Sequence, residues 1–347
     1  RSPDLSVPFH LSILHTMKVV SLLVVGAAST SFEEIAETIN SGNHGWTAQA
    51  PSKFTNVQDV VDYMGAFLPG DEKYDEPAVV ELPPLNGALP TEFDSYTKWP
   101  QCSVIANVRD QSACGSCWAF GSVSSFESRR CIATGEDVKF SPEDTAFCQP
   151  LFGAGNGCNG GNSAWNWFVN HGVVTGGDYT DKGKGDTCLP YSFAPCAHHV
   201  PATEEYPACP GEGGSPKCGS ACTESGYSGS YSADKTHAAT AYSVRGVDSI
   251  MQDLYENGPM YVALSVYGDF PTYKSGVYTH QTGSYLGGHA VTLVGYGTLD
   301  GVDYWKIKNS WNEAWGLGGH ILIKRGSNEC GIEGSVNAGT ITASEVV

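Results

Sequence analysis

The positions of the cysteines constrain the fold of this chain more than any other feature. All twelve lie between Cys102 and Cys330, and the first hundred residues contain none. Such a density in one region indicates an oxidising environment and a body stapled by disulfide bonds. Spacing alone does not give the connectivity. The chain therefore divides into a cysteine-free N-terminal part and a cross-linked body.

One of these cysteines stands in a context that suits a reactive thiol. Gly115 and Ser116 allow a tight turn before Cys117, and the run from Trp118 to Cys131 predicts a helix. The positive end of a helix dipole favours the thiolate over the thiol. Gln111 could place a side-chain amide beside it as an oxyanion donor, together with the backbone N–H of Cys117. Cys117 is therefore the candidate nucleophile.

Two other functions fit the Cys114-x-x-Cys117 spacing, namely half of a zinc site and a redox pair. Zinc would need a second ligand pair at comparable spacing, and the sequence has no other C-x-x-C. A redox pair would suit a thioredoxin-like strand-turn-helix, which the flanking residues do not supply. The nucleophile is the favoured interpretation. If Cys117 stays unpaired, eleven cysteines remain, so at least one more is free or pairs between chains.

The cysteine-free part predicts a leader followed by a small separate unit. Residues 1–16 have no clear organisation and are interpreted as an added or untranslated leader. Residues 17–29 begin with Met17-Lys18 and continue with a short apolar run and small residues, the pattern of a secretory signal peptide. About ten apolar residues are too few for a membrane anchor. Residues 30–88, here called the prosegment, are interpreted as a propeptide; a small independent interaction domain is the alternative.

Apolar residues recur at helical spacing in two stretches of the prosegment: Phe32, Ile35, Ala36 and Ile39, and then Val57, Val60, Val61, Met64 and Phe67. The first predicts a helix over Phe32–Asn40, and the second a helix over Val57–Leu68. Asp71 to Pro84 is acidic and lacks periodicity, so we expect an exposed linker. Cleavage is expected near Ala88–Leu89.

Residues 89–347 form the predicted body. Ser141 and Pro142 predict an N-cap and first turn of a helix. Two more helices are expected over Asn162–Asn170 and Asp248–Asn257, and then four strands over Met260–Val266, Ala290–Tyr296, Tyr304–Lys308 and His320–Lys324. A helical first half and a β-rich second half predict an α+β fold of two lobes with a cleft between them. The net charge of −18 makes nucleic acid and anionic membranes poor partners.

A thiolate needs a cationic partner, and histidine is the usual base. His289 follows two glycines, which let the backbone approach closely, and begins an apolar strand. Asn309 could accept the imidazole N–H and fix the tautomer, while Trp311 could shield that hydrogen bond from water. Taken singly, His289 would more often be structural and Asn309 a turn residue. Together with Cys117 they predict a catalytic constellation.

The sequence resembles the papain family of cysteine proteases in four separate motifs: Asp110-Gln111…Cys117-Trp118, Gly157-Cys158-Asn159-Gly160-Gly161, Gly288-His289-Ala290 and Asn309-Ser310-Trp311. The resemblance implies a papain-like two-lobe fold, with a helical left lobe and a β-barrel-like right lobe. It implies a Cys117–His289 thiolate–imidazolium pair, Asn309 as the residue that orients His289, and Gln111 at the oxyanion. Gly160 and Gly161 would bind the substrate backbone, and Trp311 would line the site.

Within that family the chain resembles the cathepsin B-like branch. His289 follows Cys117 by 172 residues, more than the roughly 130–150 usual for papain-like enzymes. The extra length lies in residues 188–222, which are similar to an occluding loop. The resemblance implies that His198 and His199 bind the C-terminal carboxylate of a substrate, so that dipeptides are removed in addition to internal cleavage. A solvated surface pair or a metal site is the alternative for the two histidines.

The resemblance also implies five disulfides, which pair Cys102 with Cys131, Cys114 with Cys158, Cys148 with Cys218, Cys188 with Cys222, and Cys196 with Cys209. Cys330 would remain a second free thiol. Ser335 stands where mammalian members carry an acidic residue in the S2 pocket, so apolar P2 residues should be preferred over arginine. Of the two salt bridges that hold such a loop in the family, Asp110 and His198 would keep one. The other has lost both partners, one of them at Ala314.

The expected protein is thus a monomeric zymogen without cofactor or metal. Its partners would be peptide and protein substrates, its own propeptide as inhibitor, and cystatin-type inhibitors. It would enter the secretory pathway and act in a lysosome, a digestive vacuole or outside the cell. The alternatives are a pure endopeptidase with a non-functional loop, a catalytically inactive secreted homologue, and a cysteine-rich structural or metal protein.

Overall fold

A computed structural model describes residues 31–51, 58–85, 87–150, 153–197, 199–210 and 214–342. The predicted leader, the predicted signal peptide and His198 lie outside the described residues. No helix within the described ranges is long and apolar enough to cross a membrane.

Eight α-helices occur in the described part of the chain: α1 (Phe32–Ser41), α2 (Gln58–Val61), α3 (Ser95–Lys98), α4 (Ser103–Ala106), α5 (Cys117–Thr134), α6 (Pro142–Phe147), α7 (Trp165–His171) and α8 (Val247–Asn257). The predicted α1 face is confirmed, because Phe32, Ile35, Ala36 and Ile39 are its buried residues. The Ser141 side chain accepts the Asp144 N–H at the start of α6, which confirms the predicted cap. Gly258 ends α8 as expected.

The second prosegment helix is shorter than predicted. It ends at Val61, although the apolar spacing continues to Phe67. The reason lies in the backbone hydrogen bonds of Gly65 and Phe67, which are made to Gly288, at 3.0 Å, and to Gly161, at 3.0 Å. A main chain whose polar groups are committed to a neighbouring surface cannot also close helical turns.

Nine strands are present in the described residues: β1 (Trp46–Ala48), β2 (Phe93–Asp94), β3 (Tyr242–Ser243), β4 (Met260–Tyr267), β5 (Tyr273–Tyr278), β6 (Tyr285–Leu299), β7 (Val302–Lys308), β8 (His320–Lys324) and β9 (Val336–Ala338). They form one sheet in the order β1-β5-β8-β7-β6-β4-β9-β3, with β2 paired to β6. The order is open, so within the described chain the β-rich lobe is a curved open sheet and the barrel-like expectation is corrected.

The prosegment supplies an edge of this sheet. Strand β1 pairs antiparallel with β5, and the Trp46 indole N–H donates to the Thr279 carbonyl at 3.0 Å. At the opposite edge Val79 forms a parallel bridge with Ser243 of β3. Much of the expected linker is exposed, but it is anchored to the body at this edge. The prosegment therefore covers both unpaired edges, which removes two surfaces that would invite wrong strand pairing.

Two buried apolar clusters define the lobes. One joins the sheet to α1 of the prosegment, and the other surrounds α5 and α7 and includes Ala66 and Leu68. The five disulfides implied by the resemblance are all present in the structure, and Cys117 and Cys330 are the two unpaired cysteines. Helix α5 packs between the clusters and delivers Cys117 to the boundary between the lobes.

Candidate active site

Cys117 is the first residue of α5 and is fully buried. Its sulfur accepts a hydrogen bond from the Ala290 N–H at 3.4 Å. Ala290 is the neighbour of His289 on β6, so the strand brings the predicted base next to the predicted nucleophile. This places at one point two residues that are 172 positions apart in the sequence.

His289 is fully buried, and its Nε2 lies 2.7 Å from the Asn309 side-chain oxygen. The Ser310 N–H donates to the same oxygen at 2.8 Å, which fixes the amide orientation. The Trp311 ring stacks on the imidazole with the centroids 4.7 Å apart. The oxygen of Asn309 can only accept, so Nε2 carries the proton in this pair. Proton exchange with the thiol would then use Nδ1.

Gln111 is fully buried, with its amide turned toward the cleft. Its nitrogen donates to the Cys114 carbonyl at 2.8 Å and to the Tyr63 carbonyl of the prosegment at 3.1 Å. The Ser310 hydroxyl donates to its oxygen at 2.8 Å. A prosegment carbonyl therefore sits on the donor that was predicted to serve an oxyanion.

The two predicted backbone-binding glycines lie beside the same piece of prosegment. The Gly161 N–H donates to the Gly65 carbonyl at 2.9 Å, and the Gly161 carbonyl accepts the Phe67 N–H at 3.0 Å. The Gly160 carbonyl instead accepts the Asn156 N–H within its own turn. Across the cleft, the Gly288 carbonyl accepts the N–H groups of Gly65 and Ala66, both at 3.0 Å. An extended peptide main chain thus lies between the two lobes.

Burial raises the pKa of the Cys117 thiol to about 11, against a smaller lowering by the backbone N–H groups of Ala290, Gly65 and Trp118. The helix N-terminus was expected to favour the thiolate, and here desolvation outweighs it. A thiol with a raised pKa stays protonated at neutral pH. With the prosegment in place, burial therefore favours the neutral thiol.

The predicted occluding loop lies at one end of the cleft. His199 is buried, stacks on Trp311 with the centroids 3.6 Å apart, and meets the Tyr63 ring edge at 5.7 Å. The loop is held at its base by Asp110, which accepts the Cys196 N–H at 3.1 Å. A cavity of about 210 Å³ opens beside His199, Val200 and Ala314. The salt bridge that the resemblance implies between Asp110 and His198 stays a prediction, because His198 lies outside the described residues.

Ser335 lies near the opposite end of the cleft and is buried. Its carbonyl accepts the Ala263 N–H at 3.1 Å, and Ala263 is the cross-strand partner of Ala290. Its hydroxyl lies 3.4 Å from the Tyr74 hydroxyl of the prosegment. The position is therefore one strand away from the residue that contacts the Cys117 sulfur.

Three residues that complete the site were missed in the sequence. Ser310 orients both Asn309 and Gln111, and the Tyr191 hydroxyl lies 2.9 Å from both the Gln111 carbonyl and the Ser116 hydroxyl. Lys308 is buried and donates to the Ile105 carbonyl at 2.8 Å, with a pKa lowered by burial to about 8. Ser310 adjoins Asn309 and was signalled by that motif, whereas nothing in the sequence marks Tyr191.

Comparison with known proteins identifies the family of this chain. A family model described as papain family cysteine protease matches residues 89–340. The chain is 40% identical to cathepsin B-like cysteine proteinase 5 of Caenorhabditis elegans, over 93% of this chain and 97% of the relative. Cathepsin B-like cysteine proteinase 4 of the same nematode is 39% identical, over 95% and 98%. The structure of procathepsin B S9 from Trypanosoma congolense superposes with a TM-score of 0.75 at 32% identity, covering 90% of this chain and 99% of that chain.

The fold and the Cys-His site together define a cysteine protease of the two-lobe type. The chain belongs to the papain family, and its relatives place it among the cathepsin B-like members, here in the form of a zymogen.

Proposed function

We propose that the mature protein hydrolyses peptide bonds as an endopeptidase and as a peptidyl-dipeptidase, and that residues 30–88 inhibit it until they are removed. The observation that carries this proposal is the peptide main chain lying across Cys117. The prosegment is bound there by the backbone of Gly161 and Gly288 and by the Gln111 amide. A substrate would use the same donors and acceptors.

In the proposed mechanism the Cys117 thiol passes its proton to His289 and the sulfur attacks the carbonyl carbon of the scissile bond. The oxyanion is held by the Gln111 amide and the Cys117 N–H. His289 then protonates the leaving amine, which departs with its pair of electrons and leaves a thioester. Water, deprotonated by His289, hydrolyses the thioester. Asn309 keeps the imidazole oriented through both steps.

The prosegment would resist cleavage because of what it offers to the sulfur. The Gly65 N–H donates to the Gly288 carbonyl at 3.0 Å and lies close enough to the Cys117 sulfur to lower the pKa of the thiol. The nearest carbonyl on the oxyanion donor belongs to Tyr63, two residues earlier. The peptide unit on the Gln111 amide is therefore not the one whose N–H lies near the sulfur, and we expect the bound peptide to inhibit without reacting.

For the dipeptidase activity, His199 and His198 are the proposed carboxylate ligands. His199 stacks on Trp311 at the end of the cleft that the loop closes. An imidazolium there would pair with a terminal carboxylate. An ordinary histidine loses its charge above about pH 6.5, so dipeptide release should weaken there relative to internal cleavage. The lost second salt bridge beside Ala314 favours a loop that opens readily.

Dipeptide release is tested with one peptide carrying either a free or an amidated C-terminus, digested at pH 5 and pH 7 and followed by mass spectrometry. We expect stepwise dipeptide loss from the free form only. His199→Ala should lower kcat/KM for that loss by about tenfold or more, the value of a charge-assisted hydrogen bond, while internal cleavage persists. His171→Ala, an exposed histidine on α7, is the control. Equal digestion of both forms would leave only the endopeptidase.

A second test concerns the residue that precedes the scissile bond by two positions. Because Ser335 carries no charge, we expect kcat/KM for a Phe-Arg substrate to exceed that for an Arg-Arg substrate by at least about tenfold. Ser335→Glu should narrow this ratio by restoring a partner for arginine. Comparable values for the two substrates in the unaltered enzyme would contradict the proposal.

An inactive secreted homologue is the second candidate, and the retention of Cys117, His289, Asn309 and Gln111 at one site disfavours it. Action in a lysosome, a digestive vacuole or the extracellular space is part of the proposal, as are binding of cystatin-type inhibitors and a monomeric state. The processing site near Ala88–Leu89 stays a prediction.

A further inference from the structure

A cationic group lies beside the cleft in a chain of net charge −18. Arg245 follows strand β3. Its guanidinium Nη2 donates to the Glu76 carboxylate of the prosegment, with 2.5 Å between Nη2 and Oε1. Both carboxylate oxygens contact the same guanidinium nitrogen. The Arg245 Nη1 donates to the Val244 carbonyl at 3.0 Å, and this hydrogen bond holds the guanidinium in place. In the described part of the body, no carboxylate lies within ion-pair distance of Arg245.

The carboxylate of Glu76 is held by more than this arginine. The Tyr74 hydroxyl donates to Oε2 at 2.7 Å. The Ser243 hydroxyl donates to the Pro77 carbonyl of the prosegment at 2.6 Å and lies 3.4 Å from the same Glu76 oxygen. Ser243 is fully buried and is itself fixed by the Asn337 amide at 2.7 Å. Ser243 and Arg245 belong to the body, whereas Tyr74 and Glu76 leave with the prosegment. The body therefore keeps the Arg245 guanidinium at the place of this carboxylate, with the Ser243 hydroxyl beside it.

The location of this pair is set by the sheet. Strands β6, β4, β9 and β3 are consecutive neighbours, so β3 lies about 14 Å from the strand of His289 at about 4.8 Å per step. An extended peptide covers about 3.3 Å per residue. The second or third residue before the scissile bond thus lies about 7–10 Å from that bond. The Tyr74 hydroxyl, 3.4 Å from the Ser335 hydroxyl and 2.7 Å from Glu76, places the Glu76 carboxylate beside this part of the cleft.

The two ends of the cleft differ in a way that fixes the direction. Tyr63 lies at the occluding-loop end, beside His199, where a C-terminal carboxylate is proposed to bind. Tyr74 lies at the other end, with its hydroxyl within 3.4 Å of Ser335 and 2.7 Å of Glu76. Residues that precede the scissile bond occupy that second end.

We infer that Arg245 and Ser243 form a carboxylate-binding subsite for an acidic side chain two or three residues before the scissile bond, which Glu76 occupies in the zymogen. The inference rests on the proposed peptidase function and adds a substrate class to it. It also gives a second reason for the expected rejection of arginine, since a guanidinium would be repelled there.

The test uses the mature enzyme and fluorogenic peptides that carry Glu, Gln or Leu at the second or the third position before the scissile bond. We expect the ratio of kcat/KM for Glu to that for Gln to exceed one at one of these positions and to fall with added salt. Arg245→Gln should lower the ratio about three- to tenfold, within the range for a part-exposed charged hydrogen bond. Arg245→Lys should retain part of it, because the charge remains while the guanidinium geometry is lost.

Lys324→Gln is the control, since it removes one exposed positive charge on β8, at the other side of the sheet. Lys324→Gln should leave both the Glu to Gln ratio and the rate for the Leu peptides unchanged. If the Leu peptides are cleaved but Arg245→Gln leaves the Glu to Gln ratio as it was, the subsite is overturned and the protease stands. If no peptide is cleaved, both the function and the subsite fail.

Discussion

Replacing Cys117 with serine is expected to lower kcat/KM for peptide substrates by at least about 10⁴-fold, because the reacting atom itself is exchanged for a far weaker nucleophile. The change is small in volume at a buried position, so folding and the five disulfides should be unaffected. Both proteins would first be freed of the prosegment with the same added protease, so that a failure of self-processing does not obscure the comparison. Initial rates on a Phe-Arg substrate then give the ratio.

The chain provides its own control for this experiment. Cys330 is the other unpaired cysteine, part-buried, with its sulfur near the Glu329 carboxylate, and burial raises its pKa. Cys330→Ser should keep full activity. An epoxysuccinyl inhibitor should add one label to the mature unaltered enzyme and to Cys330→Ser, and none to Cys117→Ser. Retained activity in Cys117→Ser would rule out Cys117 as the nucleophile. If neither the unaltered enzyme nor Cys330→Ser were active, the inactive homologue would again be the favoured interpretation.

Local sequence patterns predicted those helices and strands whose apolar residues face the core of the folded protein. The α1 face and the core of β6 follow from apolar spacing, because each buries the side that the pattern marks. Strand β5 was missed, since Tyr273–Tyr278 contains Lys274 and Gly276 and lacks alternation. Its order comes from pairing with β8 and with β1 of the prosegment. Such pairing depends on segments that are far away in sequence.

The site shows the same division. Cys117, His289, Asn309 and Gln111 could be proposed from motifs, because each carries chemistry that its neighbours support. The conformation of the prosegment between Val61 and Leu68 could not be predicted in this way, because its apolar spacing suits a helix while its backbone is bound by Gly161 and Gly288. Disulfide connectivity likewise came from resemblance, because spacing leaves many pairings open. The raised pKa of the thiol depends on what covers it, which no local pattern states.

The second large effect is expected at Gly65, where the prosegment passes the nucleophile. A Cβ placed on Gly65 would lie 1.9 Å from the Gly115 carbonyl oxygen and 2.4 Å from its carbon. Gly115 cannot move aside easily, because it lies between the Cys114–Cys158 disulfide and the start of α5. Gly65→Ala should therefore lift the prosegment from the cleft. Overpacking of this kind costs about 1–3 kcal/mol, which corresponds to about 5–150-fold in the population of the open form.

The measurement is the rate at which a small alkylating reagent labels Cys117 in the intact zymogen at pH 7, in a Cys330→Ser background. The bound prosegment buries the Cys117 thiol, so the labelling rate reports the fraction of molecules in which the prosegment has left the cleft. Gly65→Ala should increase this rate by about ten- to a hundredfold. Glu72→Ala, an exposed change in the same segment, should not. An unchanged rate in Gly65→Ala would mean that closure does not depend on this contact. A faster labelling rate without cleavage of the prosegment would show that access to the thiol and processing are separate steps.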